Sequence, residues 1–276
     1  MAAGETKKMR TFQDRKISNP IQKIALVSDI HANLPALEAV YRHAIQHDVQ
    51  LFLNAGDTVG FGPFPNECLD FIRLKKMVSV KGDYDQKVLE YPKRKNSLEK
   101  KKNPLQLFSF KWAYEQLTEH NFRFLADLPE FQCIPIGMKK VYIAHGSPMS
   151  IKAHLGSTTT HSELVANQKI AQSDFIICGN SHVYWSSQVK DTLFINPGSV
   201  GRQDDGDPRA SYATLSLSDP IKVDHYRVPY DISRVLQAIE VYNLPVEFSY
   251  MFQRGVNLER AIAELSNAKN DQISTA

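Results

Sequence analysis

Five short motifs place an Asp, Asn or His beside glycine or another small residue. In chain order they are Ser28-Asp29-Ile30-His31, Gly56-Asp57, Gly82-Asp83-Tyr84-Asp85, Ala144-His145-Gly146 and Gly179-Asn180-Ser181-His182. Carboxylates can bridge two cations, and imidazoles bind a metal without adding negative charge. Together the motifs supply enough oxygen and nitrogen ligands for two metal ions, an arrangement suited to in-line displacement at phosphorus.

Several of these motifs directly follow an apolar run that is typical of a buried strand. The runs cover residues 24–27, 51–53, 141–143 and 175–178. Because ligand sites of open α/β sheets lie at the carboxyl ends of the strands, the runs should bring the polar side chains to one edge. Helical spacing occurs at 34–45, 105–117, 160–170 and 232–265, and residues 86–103 form a polar, basic segment. This order of elements predicts an α/β fold.

The ordered motifs resemble the calcineurin-like metallophosphoesterase superfamily, whose blocks read D-x-H, G-D, G-N-H-[DE], a lone H and G-H-x-H. The resemblance covers about residues 24–217. It includes 196–201 and 207–212, which look like the tail of the small prokaryotic phosphodiesterase branch. The resemblance implies a four-layer α/β/β/α sandwich of two mixed sheets, whereas periodicity alone indicates only α/β.

Carried over by motif position, the resemblance also implies a ligand set for two divalent metal ions. Asp57 corresponds to the carboxylate that bridges the two ions. The first metal would take Asp29, His31 and His182, and the second would take Asp83, His145 and Asn180. An Asp after a strand is often only a helix cap, and a lone His is often only a satisfied polar residue. Their joint occurrence in this order favours the metal interpretation.

The chain departs from the family pattern at three positions. Asp83 replaces the usual Asn, Asn180 replaces the first His of G-H-x-H, and Tyr84 replaces the usual catalytic His. Asp83 and Asn180 can still coordinate through oxygen, so we expect a harder, more negative ligand set and a weak second site. An empty second site is the alternative. Oxygen-rich sites suit Mn²⁺, which we expect ahead of Fe, Mg, Ni and Zn.

Tyr84 and Asp57 are the expected catalytic residues. Asp57 would hold both metal ions in position, and Tyr84 would donate a hydrogen bond to the leaving oxygen. A tyrosine with a pKa near 10 is a poor proton donor at neutral pH, so the site should favour phosphodiesters with good leaving groups. The sequence does not identify substrate-binding residues. Asp85 is expected to have a structural role or to orient the metal ligands without binding a metal itself.

Composition and charge constrain the remaining properties. The chain has 276 residues, a net charge of +3 and three scattered cysteines without C-x-x-C spacing. We expect one domain at 21–268 between flexible tails at 1–20 and 269–276, in a reducing, cytoplasmic compartment.

The basic charge is concentrated in two segments. Residues 1–20 and 93–102 carry net charges of +3 and +5, which leaves a net charge of −5 on the rest of the chain. Such local basic charge argues against sequence-specific nucleic-acid binding, and no apolar stretch is long enough for a membrane span.

These observations favour a metal-dependent phosphoesterase, more specifically a phosphodiesterase that uses a metal-bound hydroxide on a phosphorylated small molecule or nucleotide. Two alternatives stay open: a catalytically silent binding or scaffold protein on the same fold, and a dinucleoside polyphosphate hydrolase. The sequence leaves open the natural substrate, the metal, the filling of the second site, the oligomeric state and the role of the Lys93–Lys102 segment.

Overall fold

The computed structural model describes residues 21–274, and these residues form two five-stranded sheets. In pairing order, the first sheet contains β10 (Lys222–Val228), β9 (Ala210–Ser216), β1 (Lys23–Val27), β2 (Leu51–Asn54) and β3 (Val78–Ser79). The second contains β4 (Phe131–Ile136), β5 (Lys139–Ala144), β6 (Phe175–Ile177), β8 (Thr192–Pro197) and β7 (Tyr184–Val189).

Both sheets are mixed, as the resemblance implied. The strands β1, β2 and β3 run parallel, and β9 and β10 join them antiparallel. In the second sheet β5, β6 and β8 run parallel between antiparallel β4 and β7. Loops that leave the carboxyl ends of parallel neighbours emerge on the same side, which is where such sheets hold their ligand sites.

Helices cover the outer face of each sheet. They are α1 (Leu34–Gln46), α2 (Pro65–Leu74), α3 (Asp83–Glu99), α4 (Pro104–Gln116), α5 (Glu119–Asp127), α6 (His161–Ala171), α7 (Ile232–Val241), α8 (Val246–Arg254) and α9 (Leu258–Ser274). A buried apolar layer that includes Leu26, Leu53, Ile143 and Ile177 joins the two sheets. Separate apolar clusters join the first sheet to α1 and α2 and the second sheet to α6. The predicted four-layer α/β/β/α sandwich is confirmed.

The structure corrects the interpretation of residues 86–103, most of which belong to α3. Its sequence lacks a strong apolar stripe, so its helical periodicity is difficult to recognise. The backbone N–H of Gly82 donates to Asp85 at the start of this helix, over 2.9 Å. Further along, the carboxylate of Glu90 accepts from Arg94 at i+4. Such capping and i,i+4 pairs stabilise a polar helix without a large buried face.

The three C-terminal helices pack against the loop that follows β2. Phe61 in that loop is buried, and its ring lies edge-on to Phe248 of α8 with centroids 5.2 Å apart.

Residues 1–20, predicted to form a tail, lie outside the described residues, as do 275–276. The helix α9 continues through 269–274, within the segment predicted as the second tail. No helix between residues 21 and 274 is long and apolar enough to cross a membrane.

Candidate metal centre

Five of the seven predicted metal ligands meet in a buried cluster at the carboxyl ends of the parallel strands. Asp29 and His31 follow β1, and Asp57 follows β2. His145 follows β5, and His182 lies beyond β6. All five side chains are buried, with at most 3% of any residue exposed. The loops of both sheets therefore contribute to one site, as the strand pattern predicted.

The ring nitrogens and carboxylate oxygens of the cluster face one another at short range. His182 Nε2 lies 3.3 Å from both Asp29 Oδ1 and His31 Nε2. His145 Nε2 lies 3.3 Å from Asp57 Oδ2 and 3.9 Å from Asp29 Oδ1. Asp57 Oδ2 also lies 3.9 Å from His31 Nε2, so the Asp57 carboxylate reaches both sides of the cluster.

These distances fit divalent cations held between the side chains. Ligand atoms that each lie about 2.0–2.2 Å from a metal are separated by roughly 3–3.5 Å. The ligand atoms lie within 4.8 Å of one another in two groups: Asp29 with His31 and His182, and Asp29 with Asp57 and His145. Asp57 Oδ2 and His145 Nε2 lie 3.3 Å apart but are not aligned for a hydrogen bond, and neither has another hydrogen-bond partner, so both can act as ligands to a cation. The residues present therefore fit the metal ions that the resemblance implied.

The backbone around the cluster adopts unusual conformations. Asp29, His31, Asp57, Asn180 and His182 all have left-handed φ angles, between +46° and +67°. Such a conformation costs a non-glycine residue about 1–3 kcal/mol and is concentrated at functional sites. Gly82 lets the loop after β3 approach Asp57 closely, because a Cβ at Gly82 would collide with the carboxylate and backbone nitrogen of Asp57.

Hydrogen bonds from outside the cluster orient its members. His145 Nδ1 donates to the carbonyl of Ala55 over 2.9 Å, which points Nε2 into the site. The backbone N–H of Tyr84 donates to Asp57 Oδ1 over 2.7 Å. The backbone N–H of Asn180 donates to Asp29 Oδ2 over 3.1 Å. Outer partners of this kind fix the orientation of metal ligands.

The two carboxylates strongly affect the protonation of the neighbouring histidines. Burial alone lowers the pKa of an imidazole, but Asp57 and Asp29 outweigh burial and raise the pKa of His145 to about 10. At His182, burial and Arg202 lower the pKa, but Asp204 and Asp29 together raise it to about 9. Without a metal, protons on these two rings thus balance the charge of the buried carboxylates.

The two altered positions, Asp83 and Asn180, lie beside the cluster but bind other partners. The ammonium group of Lys87, one turn along α3, forms an ion pair with Asp83 Oδ2. Asp83 Oδ1 is buried without a hydrogen-bond partner. The amide nitrogen of Asn180 donates to the carbonyl of Ala153 over 2.8 Å. Lys87 thus balances the charge that Asp83 adds beside the centre.

Tyr84 packs against the cluster through its ring. The ring lies edge-on to that of His31, with centroids 5.1 Å apart. Its hydroxyl accepts a hydrogen bond from the side-chain amide of Gln106 in α4. Burial raises the pKa of Tyr84 well above its usual value of 10. The hydroxyl keeps its proton at neutral pH and can donate a hydrogen bond.

Arg202 and Asp204 also contact the cluster, and sequence reasoning missed both. Arg202 Nη2 lies 3.0 Å from His182 Nδ1, and Asp204 Oδ2 lies 3.4 Å from the same nitrogen. Both residues lie in the glycine-rich loop between β8 and β9. Residues 196–201 and 207–212, which resemble the family, flank Arg202 and Asp204 in the sequence. A charged pair inside a loop that follows a buried strand was the available signal.

A sandwich of two mixed sheets that presents carboxylates and imidazoles at a shared edge defines a class of phosphoesterases. The chain belongs to the calcineurin-like phosphoesterase superfamily, because residues 23–220 match its domain. The family predicted from the motifs is thereby confirmed. Its members are dinuclear metal-dependent hydrolases of phosphate esters, and the matched region contains every candidate metal ligand.

Individual proteins are similar to this chain in sequence or in fold. The chain is 32% identical over 237 residues to the uncharacterised protein MJ0912 of Methanocaldococcus jannaschii, covering 80% of this chain and 93% of the relative. A metallophosphoesterase structure from Sphaerobacter thermophilus is similar at 27% identity and a TM-score of 0.69, covering 85% of this chain and 99% of the other. The hypothetical protein PH1004 of Pyrococcus horikoshii shares the fold at 21% identity and a TM-score of 0.77, with coverages of 84% and 98%.

Metal binding to this cluster should release protons. A ring nitrogen must lose its proton before it can coordinate a metal, and the raised pKa values keep His145 and His182 protonated at neutral pH in the metal-free protein. The apparent affinity for Mn²⁺ should therefore increase as the pH rises toward 9. Calorimetric titration of the metal-free protein in buffers of different ionisation enthalpy measures the proton release. An affinity that does not change with pH, with no proton release, would contradict this account of the charge balance.

Proposed function

We propose that this protein is a metal-dependent phosphodiesterase whose centre is built from Asp29, His31, Asp57, His145 and His182. The observation that carries the proposal is the pair of overlapping ligand groups, which share the Asp29 carboxylate and leave Asp57 Oδ2 and His145 Nε2 without hydrogen-bond partners. Overlapping groups suit two ions held close together, as two-metal hydrolases require.

Each side chain of the proposed centre has its own role. When bound, divalent metal ions neutralise the charge of a phosphate ester and lower the pKa of water. Asp57 would hold both ions, since its Oδ2 lies 3.9 Å from His31 Nε2 and 3.3 Å from His145 Nε2. His145 is held by Ala55 so that it offers Nε2 rather than Nδ1. Tyr84 is proposed to donate a hydrogen bond toward the leaving oxygen while keeping its own proton.

The preference for diesters follows from the position and pKa of Tyr84. Its raised pKa excludes efficient proton donation at neutral pH, so the leaving oxygen must depart with little help. Diesters with good leaving groups need that help least.

A silent scaffold is the second candidate. It is supported by the contacts of Asp83 with Lys87 and of the Asn180 side chain with the carbonyl of Ala153.

We propose Mn²⁺ as the preferred metal, ahead of Fe, Mg, Ni and Zn. Because Lys87 neutralises Asp83, the preference now depends mainly on Asn180, where an amide replaces an imidazole. Oxygen ligands suit Mn²⁺ better than Zn²⁺.

We also propose a reducing, cytoplasmic location and a phosphorylated small molecule or nucleotide as substrate. All three cysteines are free thiols, which supports a reducing location.

The variant Lys87→Met tests whether the ion pair weakens the second metal site. Removing an ammonium group beside Asp83 should strengthen binding at the weaker site by about tenfold or more, because a like charge close to a cation opposes its binding. Binding at the tighter site should not change. Lys95→Met, which removes a more exposed ammonium group from the same helix, is the matched control. Calorimetric titration with Mn²⁺ measures both sites, and wild-type binding in Lys87→Met would contradict the idea.

The variant Asp57→Asn tests the enzymatic proposal itself. Mutations of residues that only support a ligand cost about 10–100-fold in affinity or activity, so loss of the bridging carboxylate should exceed this range. A chromogenic aryl phosphodiester, a monoester and a dinucleoside polyphosphate would be assayed with the metal-free and Mn²⁺-loaded proteins. Asp70→Asn removes an exposed carboxylate of α2 and should leave the rates unchanged.

Substantial diester turnover by the wild-type protein that requires metal and is lost in Asp57→Asn would support the proposal. A wild-type protein that binds metal but hydrolyses none of the three substrates would favour the silent scaffold. A highest rate on the dinucleoside polyphosphate would move the protein into that class of hydrolases. The highest rate with Zn²⁺ would contradict the metal preference.

A further inference from the structure

We propose that Arg202 binds the phosphoryl oxygens of the substrate beside the metal centre. The proposal rests on the proposed function in one respect, namely that a phosphate group occupies the cluster. It adds a residue that sequence reasoning did not identify. Two features of the loop between β8 and β9 lead to it: its anchoring and the placement of the guanidinium group.

The loop is anchored to the first metal-binding loop by several hydrogen bonds. The backbone N–H of Gly201 donates to the carbonyl of Asp29 over 3.0 Å. Ser199 Oγ donates to the same carbonyl over 2.8 Å and accepts from the backbone N–H of Arg202 over 2.8 Å. The main chain of Arg202 therefore has a fixed position relative to Asp29, as a residue that recognises substrate at the cluster requires.

The guanidinium group lies at the cluster with part of its hydrogen-bonding capacity unused. Its Nε and Nη2 lie 3.2 Å and 3.0 Å from His182 Nδ1, and Nη2 donates to Asp204 Oδ2 over 3.0 Å. Its central carbon lies 5.0 Å from the centre of the Phe61 ring. Nη1 donates no hydrogen bond to any residue in the described range 21–274. A buried guanidinium group with a free nitrogen is suited to bind an anion.

The contact with His182 has a consequence for the metal-bound protein. His182 Nε2 faces Asp29 and His31, so a neutral ring that coordinates through Nε2 must carry its proton on Nδ1. Arginine has only donors and cannot accept that proton, whereas Asp204 Oδ2 can. When Nδ1 carries its proton, the Arg202 N–H groups that point at it have no acceptor on the ring. They become available to an anion bound at the cluster.

A phosphoryl group is the anion that best matches these donors. The planar guanidinium group can offer two parallel N–H groups to two phosphate oxygens, and its charge persists at any physiological pH. Asp204 keeps one edge of the group in place through Nη2. We assign Asp204 a positioning role, since it contacts both Arg202 and His182.

The test is binding of inorganic phosphate to the Mn²⁺-loaded protein, measured by calorimetry for the wild type and Arg202→Gln. Loss of hydrogen bonds to a charged group should weaken phosphate binding on the order of tenfold or more. The Mn²⁺ content should stay that of the wild type. Arg209→Gln is the matched control, because Arg209 is an exposed arginine of the same loop that pairs with Asp207. It should bind phosphate like the wild type.

Wild-type phosphate affinity in Arg202→Gln, or no phosphate binding by the metal-loaded wild type, would overturn the proposal. So would a loss of Mn²⁺ from Arg202→Gln, because the arginine would then act only by supporting His182. If Arg202→Gln does not fold, Arg202→Lys decides. Lysine keeps the charge without the planar fork, so reduced phosphate affinity supports the proposal and unchanged affinity overturns it. If the wild type hydrolyses no ester but Arg202→Gln still weakens phosphate binding, the proposed function fails and this inference stands.

Discussion

Two buried carboxylates within a few ångströms of each other are the constraint on which the rest of this structure depends. Asp29 and Asp57 lie in different loops and are nearly inaccessible to water. Burying such charges is expensive unless cations or protons compensate them. His145 and His182 supply this compensation as protonated rings, whereas burial lowers the pKa of His31 and keeps it neutral. All three imidazoles can supply ligand nitrogens when metal ions replace the protons. The strained turns and the close approach of Gly82 serve to hold these charges together.

The surroundings of the centre are asymmetric, and this asymmetry links the unusual residues of the chain. On the side of α3, Lys87 pairs with Asp83 and lies 4.7 Å above the Tyr84 ring. On the other side, Arg202 pairs with Asp204 beside His182. Lys87 thus pairs with a predicted metal ligand itself, whereas Asp204, the partner of Arg202, lies next to one. The C-terminal helices support the second side, since Phe248 packs on Phe61, which in turn lies under Arg202.

The sequence was sufficient to predict the features that depend on local chemistry. Apolar runs ending at a small residue beside Asp or His identified the strands β1, β2, β5 and β6, and thereby the five clustered side chains. The layer arrangement came from the family resemblance, because periodicity alone does not specify how two sheets pack. The helix α3 was missed because it is stabilised by caps and ion pairs rather than by an apolar face.

Other features depend on contacts between residues that are distant in the chain. The pairing of Asp83 with Lys87 was available at i,i+4, but its effect on the charge of the centre required the burial of both side chains. The role of Arg202 depends on a contact with His182, twenty residues away, and on packing against Phe61. No short motif records such a contact. The buried environment of Phe61 likewise follows from α8, far along the chain.

Anomalous scattering from a crystal of the Mn²⁺-loaded protein tests the central claim most directly. The account predicts a strong manganese peak among Asp29, His31, His182 and Asp57, and a weaker peak toward His145 and Asp83. Two peaks of equal strength would contradict the asymmetry. The absence of any manganese peak among these side chains at saturating metal would contradict the metal centre itself.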